Sequence, residues 1–240
     1  ILNSFSIVTV TGTGSYVGGL IGQNATTGTG ASSTVTNSFA TGDVWTTGAN
    51  AGGGLIGYNF ASAASSTVAV TDSYATGNLT GPLTNGGSNY YFGGLIGSNT
   101  VSGVGANASV TGSHASGNVT IGSSWVGGLI GFNQVNGSNG VANVSNSYAT
   151  GTVWNNPSSL SKGTGGLLGL NRSAAAGSSS IVTNSHATGA VSAGQSWTGG
   201  LIGYNYAYAS GVNHAITNSY ATGAVSGSTN VGGLVGLNQA

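Results

Sequence analysis

Very few side chains in this 240-residue sequence could take part in ionic or acid–base chemistry. There are two carboxylates, Asp43 and Asp72, two cations, Lys162 and Arg172, and three histidines, His114, His186 and His214. Hydrolytic acid–base chemistry needs paired carboxylates, or a base beside one, within reach of the same bond. Asp43 and Asp72 fall at different positions of two different sequence repeats, and Lys162 and Arg172 sit in or beside variable segments. No catalytic residue is therefore assigned, and the chain is not expected to be an enzyme. His114 and His186 replace an aromatic residue at one motif position two repeats apart. At one strand layer per repeat that separates them by roughly 10 Å, too far for a shared ion. Calcium sites need several carboxylates or carbonyls, which two Asp and no Glu do not provide. No metal and no cofactor is expected.

A second set of residues could bind rather than react. Tyr16, Tyr91, Trp125 and Trp197 each stand four residues before a recurring Leu, while Trp45 and Trp154 follow a recurring Val. Large aromatics gathered on one edge pack under loops over an apolar face or form a strip for glycans or a partner subunit, because exposed aromatic patches mark interaction sites. Composition narrows the remaining partners. Charged residues make up 2% of the chain and the formal net charge is zero, so there is no cationic patch for nucleic acid. No apolar run approaches the ~18–20 residues of a membrane span. The absence of cysteine excludes a disulfide scaffold.

What must position these residues is a repeat. The segment VGGLIGQN at 17–24 returns as GGLIGYN at 53–59, GGLIGSN at 93–99, GGLIGFN at 127–133, GGLLGLN at 165–171, GGLIGYN at 199–205 and GGLVGLN at 232–238. A second motif alternates with it: NSFATGDV at 37–44, DSYATGNL at 72–79, GSHASGNV at 112–119, NSYATGTV at 146–153, NSHATGAV at 184–191 and NSYATGAV at 218–225, with NSFSIVTV at 3–10 as a divergent first copy. The chain reads as one domain, 1–240, of seven units: 1–34, 35–69, 70–109, 110–143, 144–181, 182–215 and 216–240. From the motif Leu to the next motif Ser the distance is 18 residues in every unit, whereas the return distance varies from 15 to 22. Fixed length with free sequence marks a backbone path held at both ends. The insertions Gly81–Asn89 and Asn155–Lys162 fall in the variable gap and map to one edge of a repeat architecture.

Gly, Ser, Thr, Asn and Val do not build helical repeats, and short Val/Ile/Thr/aromatic segments between Gly and Asn read as strands. The expected fold is all-β: a β-solenoid, or parallel β-helix, of seven units of about 34 residues with little or no helix. One rung per unit, with about three short strands, is the reading taken; two smaller rungs per unit would also fit. Stacking at ~4.8 Å places equivalent residues in columns. Leu20, Leu55, Leu95, Leu129, Leu167, Leu201 and Leu234 would fill the interior, and Asn24, Asn59, Asn99, Asn133, Asn171, Asn205 and Asn238 would form an amide ladder. Alternation puts Leu20, Gly22 and Asn24 on one face and Ile21 on the other. In the second motif Ser38, Ala40 and Val44 would point inward, and Phe39, Tyr74, His114, Tyr148, His186 and Tyr220 would stack outside.

The joined pattern, VGGLIGxN followed by TNSYATGxV, resembles the GLUG motif family over essentially the whole chain. That family is associated with large secreted or surface-displayed bacterial proteins, often adhesin-like, with β-helical repeats. The resemblance implies an extracellular or cell-surface location and a fibre or adhesin stalk, and it supplies no catalytic residues to transfer. Because both ends fall in mid-repeat phase, the chain is expected to be a window of a longer array or a protomer that associates with itself, head to tail and laterally, into a filament. The alternatives are a carbohydrate-binding solenoid that uses the aromatic edge and, third, an ice-binding solenoid using the column Thr41, Thr76, Thr150, Thr188 and Thr222, which Ser116 interrupts.

Overall fold

The computed structural model describes residues 1–83, 90–156, 162–194 and 197–240. Among them are 34 short strands and no helix. All pairing is parallel, each strand with its equivalent in the units before and after, so one unit makes one turn of a solenoid. The second unit defines the rung. Its strands are Phe39–Ala40, Val44–Thr46, Ala51–Gly53, Ile56–Ala61 and Thr67–Thr71, and they belong, in that order, to what we call the first to fifth sheets. The first four sheets have seven strands each and the fifth has six. A rung thus has five sides rather than the three strands expected. The two-residue strands, each closed by its own corner, leave too weak an alternation to be seen in sequence.

The corners explain the motifs. Between the fifth and first sheets the backbone passes through positive φ at Asn3, Asn37, Asp72, Gly112, Asn146, Asn184 and Asn218, with values of 47 to 60°. Only Gly, Asn and Asp enter that region at little cost, which accounts for the residue types found there. The Ser that follows caps the corner along the axis. The amide of Ser38 donates to Ser73 Oγ (3.1 Å), and Ser38 Oγ donates to the Thr36 carbonyl (2.8 Å). Further round, Asp43 Oδ1 accepts from the Asn78 amide at 2.8 Å, and Asn78 Oδ1 from the Asn118 amide at 3.0 Å.

The Gly-Gly-Leu corner joins the third and fourth sheets. A methyl group on Gly54 would overlap the carbonyl oxygen of Gly94 in the next rung, and one on Gly57 would strike the backbone of Val17 in the third sheet. Glycine recurs here because backbone meets backbone. Leu55 and Ile56, the next two residues, are both fully buried in one cluster with Val70, Ala75 and their copies. This corrects the expectation that Ile21 and its equivalents face away from Leu20. The Leu55 carbonyl accepts from the amides of both Leu20 and Ile21, at 3.0 Å each. This doubled acceptance, repeated in each rung, bulges the strand start and turns two successive side chains inward. A second interior cluster, with Phe92, Val126 and the Val44–Leu79–Val119–Val153–Val191 column, fills the space between the second and third sheets.

The 18-residue constant gap contains the fourth-sheet strand, a tight turn and the fifth-sheet strand, for example Ile56–Ala61 and Thr67–Thr71. The variable gap contains the connection from second to third sheet, which carries the insertions. Of the segments expected there as edge loops, 84–89 and 157–161 lie outside the described residues.

Candidate functional site

Along each fourth-sheet strand the side chains alternate. Asn59 and Ala61 are buried, while Tyr58 and Phe60 face out. The inward column forms an unbroken amide ladder. Asn24 Nδ2 donates to Asn59 Oδ1 (2.7 Å), and the pattern continues through Asn99, Asn133, Asn171 and Asn205 to Asn238 at 2.7–3.0 Å. The remaining amide hydrogens of Asn99, Asn133 and Asn171 go to the carbonyls of Ala108, Ala142 and Ser180, each two residues before a fifth-sheet strand (2.6–2.9 Å). Leu55, Leu95, Leu129, Leu167 and Leu201 are fully buried, Leu20 is half-buried in the first rung, and Leu234 is exposed in the last.

The outward column has a different fate. The angle at the Gly-Gly-Leu corner turns the outer faces of the third and fourth sheets toward each other, so their side chains share a groove running along the axis. Tyr16 stacks on Tyr58 of the next rung (4.6 Å between ring centres), Tyr91 packs on Phe132 (4.2 Å), and Trp197 packs on Tyr204 (4.3 Å). Trp125 stands between Phe132 (6.1 Å) and Trp197 (6.0 Å). Trp125, Phe132 and Leu170, with Tyr91, Trp197 and Tyr204 packed against them, form an apolar cluster on the outside of the solenoid. The groove has two hollows. The larger, about 650 Å³, lies among Tyr16, Tyr58, Tyr90, Tyr91, Asn50, Ser98 and Thr100. The smaller, about 300 Å³, lies among Trp125, Leu170, Tyr204, Tyr206, Lys162 and Arg172. Tyr91, Phe132 and Gln134 line both, so the two hollows adjoin along the groove.

Burial, with the neighbouring Tyr16 ring adding to it, pushes the Tyr58 phenol up to about 12. Tyr91 and Tyr204 are also raised, chiefly by burial. The phenols of Tyr58, Tyr91 and Tyr204 therefore stay neutral and keep their O–H donors at ordinary pH. Tyr58 and Tyr91 stand beside the amides and hydroxyls of Asn50, Gln134, Ser98 and Thr100. A surface of flat rings alternating with short neutral hydrogen-bonding groups complements a ligand that has both C–H faces and hydroxyls.

The structure divides the aromatic residues singled out from sequence. Tyr16, Tyr91, Trp125 and Trp197 occupy one third-sheet column, with Ala51 and Gly163 at its intervening positions. Trp45 and Trp154 lie in the second sheet, in a column with Thr80 and Thr120 between them, and are not part of the groove. The fourth-sheet half of the site, Tyr58, Phe132 and Tyr204, is not among the residues singled out from sequence. Its contact with the third-sheet rings depends on a corner angle that spacing does not encode.

On the first sheet, Phe5, Phe39, Tyr74, His114, Tyr148, His186 and Tyr220 form one continuous stack with ring centres 4.7–5.1 Å apart. The rings of His114 and His186 are separated by that of Tyr148. Thr41, Thr76, Thr150, Thr188 and Thr222 stand exposed at the adjoining corner, in a single file with Ser116. Among the described residues no three His, Cys, Asp or Glu side chains cluster as metal ligands would.

One turn of this solenoid is also the unit that a family model captures. Residues 13–44 match the GLUG motif. The matched span begins before the third-sheet strand Tyr16–Gly18, passes through the fourth, fifth and first sheets, and ends on Val44 at the start of the second, so the GLUG motif here corresponds to a single five-sided rung. The six later rungs repeat its glycines, its Leu and its Asn in register. No curated protein and no solved structure matches the chain.

Proposed function

We propose that this solenoid is a rigid rod in an extracellular fibre or adhesin stalk, and that it grows along its axis by adding rungs. The observation that carries the reading is the uninterrupted axial register: amide, leucine and ring columns run through every unit with no change of spacing. Each rung satisfies its neighbours' backbone in the same way, so a further rung, from the same chain or a second copy, pairs without new geometry. A near-neutral chain offers no charge repulsion to stacking. At ~4.8 Å per layer, seven rungs make a rod roughly 34 Å long. Electron microscopy of the purified chain over a range of concentrations tests the self-assembly. Rods in multiples of that length are expected. Particles that remain single at every concentration would remove end-to-end growth from the proposal.

A second reading is favoured by a separate observation, the channel between the third and fourth sheets. Its aromatic platforms and neutral hydrogen-bonding groups support binding of an extended carbohydrate along the rod. Screening the chain against a glycan panel, with Trp125→Ala and Trp197→Ala as comparators, tests it. Binding that both substitutions weaken is expected, and binding that neither changes would remove this groove as the site.

A further inference from the structure

The chain's two cationic side chains meet in one place. Lys162 precedes the third-sheet strand Gly163–Gly165 and Arg172 lies in the fourth-sheet strand Leu168–Ser173. Both line the 300 Å³ hollow of the groove. Among the described residues no carboxylate lines it. The only acids, Asp43 and Asp72, are at the corners flanking the first sheet: Asp43 accepts the Asn78 amide, and Asp72 occupies a positive-φ position. The hollow therefore carries positive charge with no internal counter-charge, in a molecule otherwise almost without charge.

Arg172 is held ready for a ligand. One Nη donates to the Tyr208 hydroxyl at 3.0 Å, and the guanidinium lies over the Tyr208 ring at 5.3 Å. These two contacts fix the plane of the group. Its Nε–H is covered by protein atoms, so the remaining Nη–H groups are the donors left for a ligand. The charge of Arg172 is felt across the hollow, since it opposes the upward shift of the phenols of Tyr91 and Tyr204. A planar guanidinium edge matches a planar carboxylate, and Lys162 adds a second, mobile charge. The walls, Trp125, Leu170 and Tyr204, are the apolar surfaces on which the C–H face of a sugar ring rests.

We propose that this hollow binds a uronic acid residue of an extended acidic polysaccharide, with Arg172 holding the carboxylate and Lys162 supporting it. The neighbouring, uncharged hollow at Tyr16, Tyr58 and Tyr91 takes neutral sugar units of the same chain. The inference rests on the carbohydrate reading of the groove and adds the class of sugar. It is independent of whether the rod assembles end to end.

Calorimetric titration of the full chain tests it with oligosaccharides of galacturonate, glucuronate and mannuronate, their neutral hexose counterparts, and a sulfated oligosaccharide. Thermal melting of each variant serves as the check on folding. At least one uronate series is expected to bind, to weaken at high salt, and to lose tenfold or more in Arg172→Gln, with a smaller loss in Lys162→Gln. Neutral chains that bind as well as uronates, with Arg172→Gln without effect, would overturn the acidic assignment and leave the carbohydrate reading standing. Preference for the sulfated ligand would overturn the carboxylate assignment. Failure of every sugar to bind would overturn both and leave the rod untouched.

Discussion

Replacing Asn133 by Leu removes one link from the middle of the amide ladder with little change of volume. Asn133 is fully buried. Its Oδ1 accepts from Asn99 (2.8 Å), and its Nδ2 donates to Asn171 Oδ1 (2.8 Å) and to the Ala142 carbonyl (2.7 Å). The substitution orphans one N–H of Asn99, the Oδ1 of Asn171 and the Ala142 carbonyl, at about 1–2 kcal/mol each. Burial of a leucine side chain returns roughly 1.5 kcal/mol or more, so the net loss is about 2–4 kcal/mol. Asn238→Leu is the control. That residue only accepts one bond, from Asn205 at 2.7 Å, at the exposed end of the column, and its loss is expected to stay below about 1 kcal/mol. Guanidinium unfolding followed by far-ultraviolet circular dichroism reads the two midpoints side by side. Asn133→Asp sharpens the test. At neutral pH it sets a buried carboxylate oxygen against Asn171 Oδ1, and burial raises its folded pKa above the unfolded value near 3.9. The folded state then binds the extra proton, so this variant regains stability as pH falls. Equal midpoints for Asn133→Leu and Asn238→Leu would refute the ladder as a source of stability.

Three further outcomes follow from the same geometry. Gly94→Ala, whose methyl would overlap the Gly128 carbonyl, is expected to lower stability by about 1–3 kcal/mol or more, while Gly14→Ala, with open space around it, is neutral or slightly stabilising; thermal melting compares them. Asn146 sits at φ 50°, so Asn146→Gly is expected to be tolerated and Asn146→Val to lose about 1–3 kcal/mol in chemical unfolding. His214 bonds Ser180 Oγ through Nδ1 (2.7 Å), has a buried Nε2 without a partner, and is pushed down to about 4 by burial. Between about pH 6.5 and 4 the unfolded chain binds the proton and the folded chain does not, so stability falls as pH is lowered through that window. The full shift corresponds to at most roughly 3 kcal/mol, and to about half of that once the partial exposure of the ring is counted. His214→Asn should flatten the dependence of melting temperature on pH.

The axis of the molecule was legible in its sequence because stacked copies must carry the same residue. Seven Leu and seven Asn at one spacing have no simpler arrangement than columns. The positive-φ corner was legible too, in principle: the positions before the motif Ser hold only Asn, Asp and Gly, the set that tolerates a left-handed backbone. What sequence did not disclose was direction. Strict alternation assigned Leu20 and Ile21 to opposite faces, and the doubly used Leu55 carbonyl overrides it. Position within the variable gap also grouped Trp45 and Trp125 on one edge, although each belongs to a different sheet with a corner between them. Corner angles arise from where backbones touch, at Gly54 against Gly94 and Gly57 against Val17, and neither contact leaves a trace in residue spacing.

Adjacent residues of the fourth-sheet strand obey opposite rules. The inward column reads Asn at all seven levels. The outward column beside it reads Ala25, Phe60, Thr100, Gln134, Arg172, Tyr206 and Gln239. The inner column is constrained because each amide must meet an identical amide above and below, so one different residue leaves two neighbours unpaired. The outer column is under no such constraint. Had it simply been repeated with the rest of the unit, it would offer the same surface at every level, and a ligand would slide along it without preference. Instead its single Arg sits at one level, in the smaller hollow, where Trp125 and Tyr204 converge and Lys162 stands just before the strand Gly163–Gly165. Uniformity inside lets the rod be any length. Difference outside gives one level of that rod a surface that no other level has.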